Sequence, residues 1–292
     1  MSERYAFIKA EKAHYKVTTL CRVLGVSRSG FYDWNRRKPS RHALENERII
    51  RQIRRIHAAS KGRYGQRRIV AHLKHQEIVV GRNRVGRLMR ENGIKARWPR
   101  KFKATTNFEH AFEVAPNVLA RKFKVEAPNQ AVVGDITYVK TGQGWLYLAV
   151  LIDLFSRRVV GWAMSARIDE ELTQAALRMA LGRRPLLKNF IHHTDRGSQY
   201  AATQYRAMLA DAGSNVSMSR KGDCWDNAVS ESFFSSIKTE CIYQNSYATR
   251  DEARSDILKY LLWYNAERLH STLGYVSPME FEKQRLTANQ CV

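Results

Sequence analysis

The spacing of apolar positions divides the chain into a helical front and a mixed rear. From Leu44 to His57 the run LENERIIRQIRRIH puts Ile49, Ile50, Ile53 and Ile56 on one stripe with arginines elsewhere, the period of an amphipathic helix. Two more helical runs follow, QRRIVAHLKHQ from Gln66 and RNRVGRLMRENG from Arg82, separated by EIVVG and closed by Gly93. Ahead of them VTTLCRVLGVSRSGFYDWNR, residues 17–36, reads as two short helices about a Gly-Val turn. Ser27 would cap the second, and Leu20, Val23, Leu24, Val26 and Phe31 would pack inside. Beyond residue 129 the period changes to two. AVVGDITYV, WLYLAVLIDLF and RRVVGWAMS read as strands, the first two joined by the turn TGQG, and are expected to form an antiparallel meander. The helix DEELTQAALRMALGRR then crosses to a short strand in NFIHHTDRGSQ, TQYRAMLADAG leads to a fifth strand NVSMS, and NAVSESFFSSIKTEC is helical. Three strands followed by strand and helix in alternation imply a mixed sheet with helices on both faces, an α/β core behind an all-α front. The expected units are 1–40, 41–95, a linker 96–128, and a core with C-terminal helices 129–292.

Charge sharpens this division. The 292 residues carry a formal charge of +23, and residues 1–130 hold 31 Lys plus Arg against 10 Asp plus Glu, a balance of +21, whereas residues 131–292 balance at only +2. Phosphate contacts by Lys and Arg supply most sequence-independent DNA affinity, so the front is expected to grip DNA and the nearly neutral rear to do something else. Both helical segments follow helix-turn-helix grammar. In the first, Arg28, Ser29 and Tyr32 are candidates to face DNA; in the second, Arg82, Asn83, Arg84, Arg87 and Arg90, where positive charge accumulates without evident acidic partners. The linker KARWPRKFKATTN interleaves aromatics and cations, which suits base stacking or backbone contact as well as a plain tether.

Other classes are disfavoured. The longest apolar run, Trp145–Ile152, is too short to span a bilayer, the residues after Met1 are polar, and Cys21, Cys224, Cys241 and Cys291 form no CxxC pair. A cytoplasmic protein without membrane partner is expected. His72 and His75 have ligand-like spacing, but no cysteine pair follows, so they read as polar residues of an amphipathic helix and no structural zinc is expected.

The candidate chemistry lies in three carboxylates. Asp135 sits in the first strand, Asp195 at a strand exit followed by Arg-Gly-Ser, and Glu231 in a helix beyond a gap of 35 residues. Asp226 or Asn227 could cap that helix, and Lys238, two turns after Glu231, should share its face. Asp153 ends the second strand and could be neutralised by Arg157 or Arg158. Ser230 and Ser232 flank Glu231 but have no evident base, which argues against a serine nucleophile.

GDITYV around Asp135, HHTDRGSQY around Asp195, the 35-residue gap, ESFFSSIK from Glu231 to Lys238, and YNAERLHSTLGYVSPMEF at 264–281 together resemble the DDE transposases of bacterial insertion sequences, of the second-reading-frame type, in the retroviral-integrase superfamily. The likeness runs over roughly residues 40–285. It implies a ribonuclease H-like integrase core preceded by helix-turn-helix segments, with Asp135, Asp195 and Glu231 as catalytic metal ligands for Mg²⁺ or Mn²⁺, two ions once DNA is bound. It implies cutting and joining of the mobile element's ends through a circular intermediate, target DNA as second partner, and a homo-oligomer on DNA. Relatives of this type usually act fused to a preceding frame that carries a leucine zipper, and no heptad seam is present here. Lys238 would hold substrate phosphate. The alternatives are a catalytically inactive DNA-binding regulator and a metal-dependent nuclease that cuts without joining.

Overall fold

The computed structural model describes residues 1–97, 115–184, 189–220 and 224–290. At the front, α1 (Ser2–Glu11), α2 (Val17–Val23) and α3 (Arg28–Arg36) form a small bundle around Ile8, Leu20, Cys21 and Phe31. Ser27 caps α3, accepting from the Gly30 N–H at 3.2 Å. Val23 lies 75% exposed instead of joining the core, because α1, which hydrophobic spacing did not reveal, fills the bundle with Tyr5 and Ile8.

The second helical unit comprises α4 (Arg41–Ala59), α5 (Gln66–His75) and α6 (Arg82–Glu91). Ile49, Ile53 and Ile56 of α4 meet Ile69, Leu73, Val85, Leu88 and Met89, as the stripe foretold. Leu269, from far along the chain, is buried in the same cluster.

The rear is a five-stranded mixed sheet in the order β3-β2-β1-β4-β5. Its strands are β1 (Ala131–Thr141), β2 (Gly144–Asp153), β3 (Val159–Ser165), β4 (Ile191–Thr194) and β5 (Asn215–Met218). The first three form the expected antiparallel meander, while β4 pairs parallel to both β1 and β5. One face carries α7 (Glu170–Arg183), the short α8 (Ser198–Ala201) and α9 (Thr203–Asp211), over Val132, Ala149, Leu151 and Val160. The other carries α10 (Ala228–Glu240) and α11 (Arg250–Ala266), over Ala131, Val133, Val150 and Ile152. Gly161 lets α7 lie close on β3, since a Cβ there would stand 2.3 Å from the Ala176 carbonyl oxygen. Residues 115–130 lie against this body, with Leu119 only 1% exposed in the core under α10. A last helix, α12 (Pro278–Gln290), fastens to the β2–β3 connection through Glu282, which accepts from Arg158 at 2.8 Å, Arg184 at 2.5 Å and Ser156 Oγ at 2.5 Å.

Candidate active site

Strand alternation decides where Asp135 points. Ala131, Val133 and Val139 go to the face under α10, and Val132 and Ile136 to the other, so Asp135 shares parity with the first set. Val133 is in register with His193 on the parallel strand β4. Two residues beyond that pair stand Asp135, still within β1, and Asp195, just past the end of β4. Asp135 is half-buried: its Oδ2 accepts from Asn227 Nδ2 at 2.9 Å and its Oδ1 from the Ile136 N–H at 2.8 Å. Asp195 Oδ1 accepts from the Gly197 N–H at 3.0 Å.

Glu231 lies in the first turn of α10 at the exposed edge of a stripe formed by Ser230, Phe233, Phe234, Ile237 and Lys238, which packs towards the sheet. Burial, then the charge of Asp195, and to a smaller degree that of Glu231, raise the Asp135 carboxyl well above the usual range, while the Ile136 N–H and Lys238 oppose the rise. Partial burial raises Glu231 as well. The Asp135 carboxyl thus senses the other two without the three closing around a point: among the described residues no three His, Cys, Asp or Glu side chains converge closely enough to hold an ion. The donor set nevertheless suits a hard divalent cation. It offers carboxylate oxygens whose charge is opposed by burial and by one another, and the buried Asn227 Oδ1 beside them has no hydrogen-bond partner among the described residues.

Several expectations about neighbouring residues need correction. Lys238 does not look with Glu231 into an open groove; it is 6% exposed, with Nζ 5.1 Å from the centre of the Tyr138 ring. The packing of α10 on β1 buries it, which lowers its pKa, while Asp135 pulls the other way. Neither Asp226 nor Asn227 caps α10 with its side chain. Asn227 is occupied by Asp135, and the fully buried Asp226 is enclosed by donors: Asn117 Nδ2 and Arg121 Nε at 2.8 Å, and the Arg220 backbone N–H and Nε at 3.0 Å. Asp153 is answered by N–H and O–H groups, of Asn129 at 2.7 Å and of Phe155 and Ser156 at 3.0 Å, and not by an ion pair with Arg157 or Arg158. Sequence reasoning missed the roles of Asp226 and Asn227. The signal available was an Asp-Asn pair ahead of the Glu231 helix, which local capping explained too readily.

At the front, Arg28 and Tyr32 are exposed on α3, and Arg82, Asn83 and Arg90 on α6. Two candidates do have acidic partners. Arg84 bonds Glu45 at 3.2 and 3.0 Å and Asn46 at 2.9 and 2.7 Å, which fastens α6 to α4, and Arg87 pairs with Glu91 at 3.3 Å. Sequence reading also passed over α4, whose outer side exposes Arg41, Arg48, Arg51 and Arg55.

Comparison with known families accords with this geometry. A family model described as Integrase core domain matches residues 125–224 and another of the same description residues 212–278; an HTH-like domain model matches residues 44–102. The transposase InsF for insertion sequence IS3A of Escherichia coli (strain K12) is 40% identical over 289 residues, covering 97% of this chain and 99% of that protein. The chain belongs to the IS3 family of insertion-sequence transposases. This transposase is also 44% identical over 266 residues to the insertion element IS600 uncharacterized 31 kDa protein of Shigella sonnei, covering 91% of this chain and 98% of the relative. Among solved structures, it matches the simian T-cell lymphotropic virus intasome in complex with PP2A regulatory subunit B56 gamma with TM-score 0.46 and 16% identity, over 78% of this chain and 73% of that one. The HTLV-2 integrase catalytic core domain in complex with magnesium matches with TM-score 0.39 and 17% identity, over 53% and 97% of the two chains. The transposase is therefore a polynucleotidyl transferase with a ribonuclease H-like integrase core behind an HTH-like DNA-binding unit. Among the described residues no helix is long and apolar enough to cross a membrane.

Proposed function

We propose that this transposase binds the ends of its own insertion sequence, cuts one strand there, and joins the freed 3′-hydroxyl to another phosphodiester, with Asp135, Asp195 and Glu231 holding Mg²⁺ or Mn²⁺, two ions once DNA is bound. The observation that carries the reading is the opposition of charges at Asp135: a half-buried carboxyl whose ionised form is disfavoured by burial and by two further carboxylates. Such a cluster is a poor structural device and a good cation trap. The chemistry that divalent ions supply at such a site is activation of the attacking oxygen and stabilisation of the departing one.

The protein's own part is placement. Asn227 and the Ile136 N–H hold Asp135 in one orientation, the Gly197 N–H holds Asp195, and the rigid helix α10 presents Glu231. Lys238, buried against the Tyr138 ring, offsets part of the negative charge at Asp135. In cutting, water bonds to phosphorus and the 3′-oxygen leaves with a proton. In joining, that 3′-hydroxyl bonds to a second phosphorus and another 3′-oxygen leaves, so phosphodiester bonds are conserved and no covalent protein intermediate is needed. The exposed cations of α3, α4 and α6 hold the duplex. A homo-oligomer, with or without a fused upstream segment, brings two ends together.

The test is a strand-joining assay with pre-cleaved end duplexes, circular target DNA and Mg²⁺. Joined product supports the reading. Cutting of intact ends without any joining makes the protein a nuclease, and end binding with neither reaction makes it a regulator.

A further inference from the structure

Glu240, the last residue of α10, is 5% exposed and takes hydrogen bonds at every oxygen it has. Its carboxylate accepts from Arg268 Nε at 2.8 Å and Nη2 at 2.7 Å, from Tyr260 Oη at 2.9 Å, and from Arg68 Nη1 at 3.3 Å. Its carbonyl accepts from Arg63 Nε at 3.1 Å and from Arg97. Burial would raise this carboxyl, but Arg268 and then Arg68 hold it below its ordinary value. Arg268 and Tyr260 belong to the catalytic body; Arg63, Arg68 and Arg97 come from the HTH-like unit. The seam continues beside it. Arg63 stacks 4.3 Å from the Trp263 ring, Tyr64 Oη accepts from the Leu269 N–H at 2.9 Å, Arg68 Nε donates to the Leu269 carbonyl at 3.0 Å, and the Leu269 side chain is buried in the core of the HTH-like unit.

We infer that Glu240 is a positioning residue that couples the HTH-like unit to the catalytic helix, fixing DNA held by that unit relative to Glu231. The inference rests on the function proposed above. Glu231 and Glu240 are nine residues apart on one continuous helix, about 13 Å along its axis. A displacement at the clamped end is therefore delivered to the first turn. A surface ion pair could slide without consequence, whereas this joint is buried and has arms from both units, so the two move together or the joint breaks. Leu269 and Arg268 sit within the run YNAERLHSTLGY, so much of that signature serves the seam.

The test uses the full chain and an end duplex. Arg68→Met removes the HTH-like unit's arm on the Glu240 carboxylate and leaves the Glu240–Arg268 pair intact; Glu240→Gln removes the charge at the hub. Arg68→Met is expected to bind end DNA within about twofold of the unaltered protein, yet to cut at saturating DNA about 10- to 100-fold more slowly, with Arg68→Lys recovering part of the rate. In the double variant the losses should not add, because Arg68 acts through Glu240. Hydrogen exchange of the metal-free protein should show lost protection at residues 63–69 and 236–245, with the remaining sheet amides unchanged. A folded Arg68→Met protein that cuts at the normal rate, or unchanged exchange at both segments, overturns the inference. If the unaltered protein leaves ends uncut, the function proposed above fails and exchange alone decides the joint. Should Glu240→Gln not fold, the Arg68 variants decide it.

Discussion

Replacing Asp226 by Asn should unfasten the site without touching a proposed ligand. Asp226 is fully buried and binds Arg121, Arg220 and Asn117, which ties residues 117–121 and 220 to the turn that carries Asn227. Asparagine keeps the shape but loses the charge and turns an NH₂ group towards donors. Hydrogen bonds to a charged acceptor contribute about 1.5–3 kcal/mol each. The arginine side chains are 44% and 56% exposed, so both can rehydrate, and the net loss should be about 2 kcal/mol, or roughly 4–8 °C in melting temperature. The pH dependence is more diagnostic. Hydrogen bonds from Arg220, and with them the Arg121 contact, hold the Asp226 carboxyl well below its ordinary value, against the effect of burial. A depressed folded value means that the stabilisation is fully present above the unfolded pKa, about 3.9, and is lost as pH falls through the folded value. Urea unfolding of the two proteins should therefore differ by a constant amount from pH 5 to 8, and the gap should narrow below about pH 4. Cutting should fall too, since Asn227 loses its anchor. Equal stability at pH 7, or a gap that persists unchanged at pH 3, would refute the reasoning.

Gly161→Ala should lower the melting temperature by several degrees, because the added methyl meets the backbone of α7 at 2.3 Å and overpacking costs about 1–3 kcal/mol; an unchanged melting curve would show that α7 shifts freely. Lys238→Ala should slow cutting and joining while Mn²⁺ binding to the free protein, followed by calorimetry, persists; near-normal joining across DNA concentrations would remove this lysine from the site. Arg82→Ala should weaken DNA binding and reduce the salt slope by about one without altering melting. Arg84→Ala should instead lower the stability of the HTH-like unit by about 1 kcal/mol, through lost bonds to Glu45 and Asn46. Equal binding and melting effects of the two substitutions would contradict the division of roles.

Periodicity found the five strands and most helices because each buries one face: the stripe of α4 and the alternation of β1 are patterns within one element. It missed α1, whose apolar positions are few, and it misplaced Val23 because the bundle it expected lacked that helix. The three carboxylates were proposed from spacing and resemblance, and the β1–β4 register, which ends at Val133 and His193, leads towards Asp135 on one side and Asp195 on the other. Partners that come from distant segments were not legible. Glu45 for Arg84, Arg121 for Asp226, and Arg68 for Glu240 are tertiary pairings that no window of sequence contains. The buried state of Lys238 follows from how α10 packs on β1, which the seven-residue spacing does not specify.

The central claim is that Asp135, Asp195 and Glu231 act together on DNA. The direct measurement compares Asp135→Asn, Asp195→Asn and Glu231→Gln with the unaltered protein on end duplexes, scoring binding by gel shift and cutting and joining with Mg²⁺ and with Mn²⁺. The account predicts that each variant binds DNA with nearly normal affinity and that each loses both reactions by at least about 10³-fold. Comparable cutting and joining by any one of the three would contradict it and remove that residue from the site.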